Sequence, residues 1–469
     1  MIPLPLAKAA AITAGQLADG ADADAVISGP VVIDSRRVQA GSLFVCLEGE
    51  RVDGHSFAAS AVAAGAVAAL GTRATGAPTL VVDDTQAALA ALASELLAAS
   101  ACRVVGVTGS SGKTSTKDLL AAVFGADAPT VAPENSFNNE LGLPLTVLRI
   151  TDETRTLVLE YSARGVGHIR HLCGIARPDI AIVLNVGHAR LGEFGSREGI
   201  AAAKGELVES LPDDGTAVLN ADDALVAAMR SRTRARSLTF GTDTTADVRI
   251  EAVETDRLAR ARFGLRTPAG NADISLQLHG RHHVANAAAA VAAALAADVP
   301  LATVVEALQS VTSLSPHRMQ MRERGDGLVV IDDAYNANPD SVRAALQALV
   351  GITGGDGRSW AVLGVMRELG DTSDALHADV GADAARLGVD ELVIVGADAA
   401  AMAEGAQSVT EWQGRVRHVP DAGVATQLVA TESRPRDVVL VKASNSEQLW
   451  RLADALMEQV PAGADGGRG

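Results

Sequence analysis

Aromatic side chains are scarce in this sequence: 3 Trp, 2 Tyr and 7 Phe make up 3% of 469 residues. Hydrophobic residues still amount to 48%, so the cores are expected to be aliphatic, with alanine letting helices approach closely. Cysteine is nearly missing. Cys46, Cys102 and Cys173 are widely spaced, with no metal-type pair. That excludes a disulfide scaffold and fits free thiols buried in a reducing compartment. Positive charge is in deficit, with 40 Lys and Arg against 57 Asp and Glu, a formal net charge of −17. Such a balance lacks the basic footprint of a nucleic-acid binder and argues against docking on anionic membranes. There is no long apolar run either. The longest, about 286–297, is mostly alanine and stops at Asp298 and Pro300, as a soluble helix does and a membrane span does not. Met1-Ile2-Pro3-Leu4-Pro5 has no basic region or apolar core of a secretory leader, so a cytoplasmic location is expected. The glycine-rich tail, Pro461 to Gly469, is expected to be disordered.

What is present centres on one stretch, Val104 to Lys117. A β-branched run from Cys102 to Val107 reads as a buried strand, followed by a small-residue loop with Gly109 and Gly112 and a helix pattern from Thr114 onward. Strand, glycine loop and helix start form the geometry that wraps a polyphosphate, because backbone N–H groups and the positive helix end converge there. Thr108, Gly109, Ser110, Ser111, Gly112, Lys113, Thr114 and Ser115 form the candidate nucleotide grip. Lys113 is placed for the β/γ-phosphates and the Thr114 hydroxyl for Mg²⁺. A strict Walker spacing would need glycine at 107, which is Val107; the pattern reads T-G-x-x-G-K-T-S.

The length suggests about three domains. Residues 1–100 alternate short strands with alanine-rich helices and contain Asp34-Ser35-Arg36. A polar turn, or an anion contact through Ser35 and Arg36, are both open from the residues alone. Residues 101–314 carry the phosphate loop, the asparagine-rich stretch Glu134 to Pro144 with Asn138 and Asn139, and an apolar strand ending on Glu160. A carboxylate at the C-terminal end of a parallel strand sits on the ligand edge of the sheet. The strand Ile180 to Asn185 runs into Gly187-His188-Ala189-Arg190. Lys204, in an alanine-rich helix, reads by spacing as a solvated face residue. Adjacent His282 and His283 should diverge on a helix, which favours a cap or nucleotide contact over a metal site. Residues 315–469 open with Pro316-His317-Arg318 and alternate strands and helices in a doubly wound manner. The glycines at 354, 355 and 357 read as a turn. The expected fold is therefore α/β in three domains: a small α/β N-terminal domain, a central P-loop ATPase-type domain with a mostly parallel sheet, and a Rossmann-like doubly wound C-terminal domain.

These blocks in this order resemble the Mur ligases, the ATP-dependent amide-forming enzymes of peptidoglycan precursor synthesis. Asp332-Asp333-Ala334-Tyr335-Asn336-Ala337-Asn338-Pro339-Asp340-Ser341 is close to the D-D-S-Y-N-A-N-P-x-S pattern of the branch that adds D-alanyl-D-alanine. The D-N-P-R motif of the ligase adding the third stem residue is absent from the sequence. The resemblance implies a cytoplasmic, monomeric ligase joining D-alanyl-D-alanine to UDP-N-acetylmuramoyl-tripeptide through an acyl phosphate, with ATP and Mg²⁺. It implies that Thr114 and Glu160 hold Mg²⁺, and that Lys204 becomes an N-carboxylated metal ligand. It gives nucleotide contacts to Asn286, Arg318, Asp333, Tyr335 and Asn336, the UDP end to Ser35 and Arg36, and a central substrate loop to Asn138 and Asn139.

The sequence departs from that pattern in places. The family reads A-H-L where this chain has Ala189-Arg190-Leu191, and an arginine cannot ligate a metal. In an extended segment residues two apart share a face, so His188 is offered as the stand-in. The family's V-L-G-[DE]-M becomes Val362 to Met366 with Val365 at the acidic place, and its V-K-G-S-R becomes Val441 to Asn445, without the arginine. Two further readings stay open here: a paralogue that binds ATP and nucleotide sugar without ligating, or a ligase with another amine donor.

Overall fold

Short β-branched strands and small-residue helices build three main sheets in succession along the chain, beside a two-stranded antiparallel pair of Leu4–Pro5 with Val26–Ile27. The computed structural model describes residues 1–49, 52–188, 191–355 and 357–458; Arg190 and the tail 461–469 lie outside the described residues. The first sheet runs in the order 16–18, 79–81, 66–71, 42–45, 31–32, parallel except at its 16–18 edge. Its last strand leads into the 3₁₀ turn Ser35–Arg37, where the Asp34 side chain accepts the Arg36 backbone N–H.

The second sheet holds nine strands, in the order 270–279, 260–267, 248–255, 236–241, 216–220, 180–183, 103–108, 156–160, 130–131. From 248–255 to 130–131 every pairing is parallel; the last two strands beyond 248–255 are antiparallel. Strand Arg103–Thr108 lies between Thr156–Glu160 and Ile180–Val183, which both follow it in sequence. The chain therefore leaves this strand at a topological switch, where crossovers part to either face and open a crevice at the strand ends. Behind it, helix His283–Ala296 is buried over most of its length, eight consecutive positions from Ala287 to Ala294 among them. Alanines there let it lie close against helix Lys113–Asp127, so the scarcity of aromatics has a structural counterpart.

The third sheet runs 320–323, 329–332, 438–442, 359–363, 391–395, 415–419, parallel except for its 320–323 edge. Helix Pro339–Thr353 starts on a capping box between Asn338 and Ser341 with proline in the first turn, and ends on left-handed Gly354. The glycines after it thus form a helix stop, as the turn reading expects. The mostly parallel three-sheet α/β architecture agrees with the fold read from the sequence. The antiparallel strands at 260–279 were not anticipated. Cys46 and Cys173 are buried free thiols as expected, whereas Cys102 is only partly buried; burial pushes Cys46 and Cys173 up to about 12 and Cys102 to about 11. Among the described residues no helix is long and apolar enough to cross a membrane.

Candidate active site

The phosphate loop is built by one glycine and one asparagine. Gly112 adopts φ +79°, a left-handed conformation that L side chains rarely take, and a Cβ there would meet Asn286 Oδ1 at 2.7 Å. The helix can then begin at Lys113, one residue before the start expected from the pattern. Asn185, just past strand Ile180–Val183, holds the loop from the side: its Oδ1 accepts the backbone N–H groups of Ser110 at 3.0 Å and Ser111 at 2.9 Å. Lys113 Nζ folds back to donate to the Gly109 carbonyl at 2.7 Å. First-turn N–H groups have no intrahelical partner, and no side chain caps this helix. Its positive end, at Lys113, Thr114 and Ser115, faces a cleft of ≈ 720 Å³.

Glu160 ends the neighbouring strand inside this cleft and is 1% exposed. A buried carboxylate needs polar partners, and it has them: Asn138 Nδ2 donates to Oε1 at 2.7 Å and the Thr114 hydroxyl to Oε2 at 3.1 Å. Thr114 Oγ1 also lies 2.9 Å from Ser136 Oγ. A carboxylate and a hydroxyl side by side at the phosphate-binding helix end are hard oxygen donors, the set that suits Mg²⁺. From the third sheet's side Arg318 crosses over, its Nη2 donating to Thr114 Oγ1 at 3.2 Å, while its guanidinium lies 4.4 Å from the Tyr335 ring centroid.

Of the residues selected from the sequence, Gly109 to Ser115, Asn138, Asn139, Glu160, Lys204, Arg318, Tyr335 and Asn336 share the cleft wall. Lys204 is only 8% exposed. Its spacing-based reading as a solvated residue is overturned, because helix Arg197–Glu209 is covered on most sides. Asn139 spends its Oδ1 on the Gly142 N–H, at 2.9 Å. Thr108 lies beneath the wall, donating to the Tyr161 carbonyl at 2.9 Å. Asn286 is buried behind Gly112, and among the described residues its Nδ2 has no hydrogen-bond partner. Asp333 is buried on Lys442, with Nζ to Oδ2 at 2.5 Å; burial lowers the Lys442 pKa and the Asp333 charge works against that. His188 does not line the cleft. Its backbone N–H and Nδ1 meet the two carboxylate oxygens of Asp340, at 3.0 and 3.3 Å. Ser35 and Arg36 stand in the first sheet's region, where Arg36 is paired with Asp34 at 2.7 Å and holds that carboxyl down at about 2.

His282 and His283 do not diverge. Their rings lie 4.1 Å apart, tilted by 43°, and His282 makes no side-chain cap bond. His282 precedes the first helical turn and folds its ring against Gly280, which has no side chain to exclude it. Val365 is buried in the third sheet's core, whereas Asn445 lies on the cleft wall. Sequence reasoning left out Ser136, Asn185 and Arg367. Asn185 follows a buried strand, Ile180–Val183, at the same sheet edge as Glu160, a positional signal that was available. Arg367 reaches the cleft from a loop and pairs with Asp398 at 2.6 Å and Glu447 at 2.9 Å; no local pattern marks it.

Residues 30–97 match the Mur ligase family, catalytic domain, 107–294 the Mur ligase middle domain, and 317–445 the Mur ligase, glutamate ligase domain. The UDP-N-acetylmuramoyl-tripeptide–D-alanyl-D-alanine ligase of Mycobacterium tuberculosis (strain ATCC 25618 / H37Rv) is 46% identical, with 99% of each chain covered. A crystal structure of MurF from Acinetobacter baumannii superposes with a TM-score of 0.86 at 33% identity, covering 97% of this chain and 99% of that one. MurF from Thermotoga maritima in complex with ADP gives 0.78 at 28% identity, over 92% of this chain and 98% of that one.

Proposed function

The chain belongs to the Mur ligase family, and from that premise we propose that it joins D-alanyl-D-alanine to UDP-N-acetylmuramoyl-tripeptide, releasing ADP and phosphate. The observation that carries this reading is the meeting of Thr114, Glu160 and Arg318 at one point: the phosphate loop, the strand-end carboxylate and a cation from the third sheet's side. Such a point suits phosphoryl transfer, which is governed by positioning and charge stabilisation. The tripeptide's terminal carboxylate attacks the γ-phosphorus of ATP, the bond to the β-phosphate oxygen breaks and ADP leaves. The D-alanyl-D-alanine amine then attacks the acyl carbon, loses a proton and expels phosphate.

In this reading residues 1–100 hold the UDP end through Ser35 and Arg36, residues 101–314 hold ATP, and residues 315–469 close over it and take the amine donor. Lys113 and the helix end bind the β/γ-phosphates. Thr114 and Glu160 would hold Mg²⁺, with Lys204 joining them in its N-carboxylated form; the metal supplies charge neutralisation when bound. Asn286 fits a nucleotide contact, since its buried amide donor has no hydrogen-bond partner among the described residues. Asn138 and Asn139 face the tripeptide. Tyr335 and Asn336 reach the nucleotide; Asp333, expected there from the sequence, instead lies behind them with its carboxylate held by Lys442 and the Met319 N–H, and His188 stays with Asp340 beside the site. The enzyme works as a cytoplasmic monomer and needs no nucleic acid.

The test is ADP release by the purified protein with ATP, Mg²⁺, the tripeptide nucleotide and D-alanyl-D-alanine. Release is expected only when both substrates are present. A folded, ATP-binding protein that releases no ADP with any amine acceptor overturns the reading.

A further inference from the structure

We propose that His317 and Asp332 are positioning residues that aim Arg318 at the phosphate loop; the proposal rests on the ligase reading above. Arg318 sits in the segment joining helix Leu301–Ser310 to strand Gln320–Glu323. The residues on both sides of it are left-handed: His317 at φ +59° and Met319 at φ +50°. Neither is a glycine, so the conformation is strained and persists only if the surroundings hold it.

Both residues are fastened to the same turn. His317 Nδ1 lies 2.6 Å from Asp332 Oδ2, and its ring stacks on Trp450 with centroids 5.1 Å apart and planes 26° from parallel. The His317 carbonyl accepts the Tyr335 N–H at 3.2 Å. The Met319 N–H donates to Asp333 Oδ1 at 3.1 Å. Asp332 is fully buried at the end of strand Val329–Asp332, and its other oxygen accepts the Ala334 N–H at 3.1 Å. The backbone before and after Arg318 is thereby tied to the stretch 332–335, whose Tyr335 ring also carries the guanidinium. Fixed at both ends and along its plane, Arg318 extends Nη2 to Thr114 Oγ1. His317 itself does not line the cleft, so its influence on the reaction passes through Arg318.

Steady-state ADP release is compared for the unaltered protein, His317→Ala, Arg318→Ala and the double variant, with thermal melting of each. His317→Ala is expected to lower kcat about tenfold, with the KM for the tripeptide nucleotide unchanged. Because it acts through Arg318, His317→Ala should cost nothing further in the Arg318→Ala background. His317→Asn, which tolerates the left-handed conformation, should recover part of the loss and serves in place of the alanine variant should that one not fold. Equal losses from His317→Ala with and without Arg318, or unaltered kinetics, overturn the proposal. If the unaltered protein releases no ADP, the ligase reading falls, and calorimetric ATP affinity on the same variants decides this proposal: coupled losses support it and additive losses overturn it.

Discussion

Asp333 and Lys442 illustrate what one residue contributes here beyond a contact. Lys442 is 2% exposed and its ammonium also donates to the Asn336 carbonyl at 2.9 Å. Removing one partner of a buried ion pair leaves the other uncompensated, a loss of roughly 3–5 kcal/mol, whereas removing both costs much less. Lys442→Met is therefore expected to destabilise the protein by about that amount in urea denaturation, and Lys442→Met with Asp333→Leu to recover much of it. Recovery should extend to folding only, since the turn that supports Arg318 loses the Asp333 bond to Met319. A single-variant loss below about 1 kcal/mol would show that the pair is solvated in solution.

At the scale of elements, the strand–loop–helix around 104–117 was legible because its signals are local: β-branched residues, two glycines, then Lys113 and Thr114 within a few positions. Gly112 can be tested directly. Gly112→Ala would force a Cβ toward Asn286 Oδ1 in a left-handed conformation, at a cost of about 1–2 kcal/mol. The loop should give way before the fold does, so calorimetry is expected to find ATP binding weakened at least tenfold with little change in melting temperature. Other elements were not legible, each for a physical reason. The surroundings of Lys204 depend on what packs around its helix, and spacing along one helix carries no record of that. The contact of Arg318 with Thr114 joins residues 204 apart in sequence, and a side-chain pattern cannot reveal such a meeting without a homologous fold to imply it. The closeness of the His282 and His283 rings was not legible because the His282 ring turns into space left by Gly280, and the direction of a side chain at a helix start is set by such neighbours rather than by helical spacing. The antiparallel strands at 260–279, by contrast, alternate clearly, with Ala261, Phe263 and Leu265 and then Ile274, Leu276 and Leu278 buried, so a period-two signal was available there and was passed over.

For the whole molecule, the excess of acid over base is reversed locally. Among the described residues Lys113, Arg164, Arg318 and Arg367 line the cleft as cations against Glu160 and Glu368, apart from Lys204, whose charge the N-carboxylation proposed above would reverse. A protein of net charge −17 thus still focuses cations where a polyanion is expected to bind. The third sheet's region is brought over this cleft by a few polar contacts. Ser315 donates its N–H to Asp118 Oδ2 at 2.8 Å at the joint, Arg318 reaches Thr114, and Asp340 accepts from His188 on the far side. Asp340 is the contact best suited to a test. It lies in the first turn of helix Pro339–Thr353, where a carboxylate also suits the helix end, and a Cβ on Gly187 would run into that carboxylate. Gly187 in turn donates to Ser110 Oγ in the phosphate loop at 2.9 Å, so this contact connects closure to the nucleotide grip. Asp340→Ala removes the acceptor of two bonds, a loss of about 1–3 kcal/mol, enough to shift an open–closed balance by about fivefold to a hundredfold. Small-angle scattering of the nucleotide-free variant should give a larger radius of gyration than the unaltered protein. Saturating ATP should bring the two together, because Arg318 and the phosphate loop then share a ligand. An identical radius for both proteins without nucleotide would show that closure is held at Arg318 and Ser315 and that Asp340 adds nothing to it.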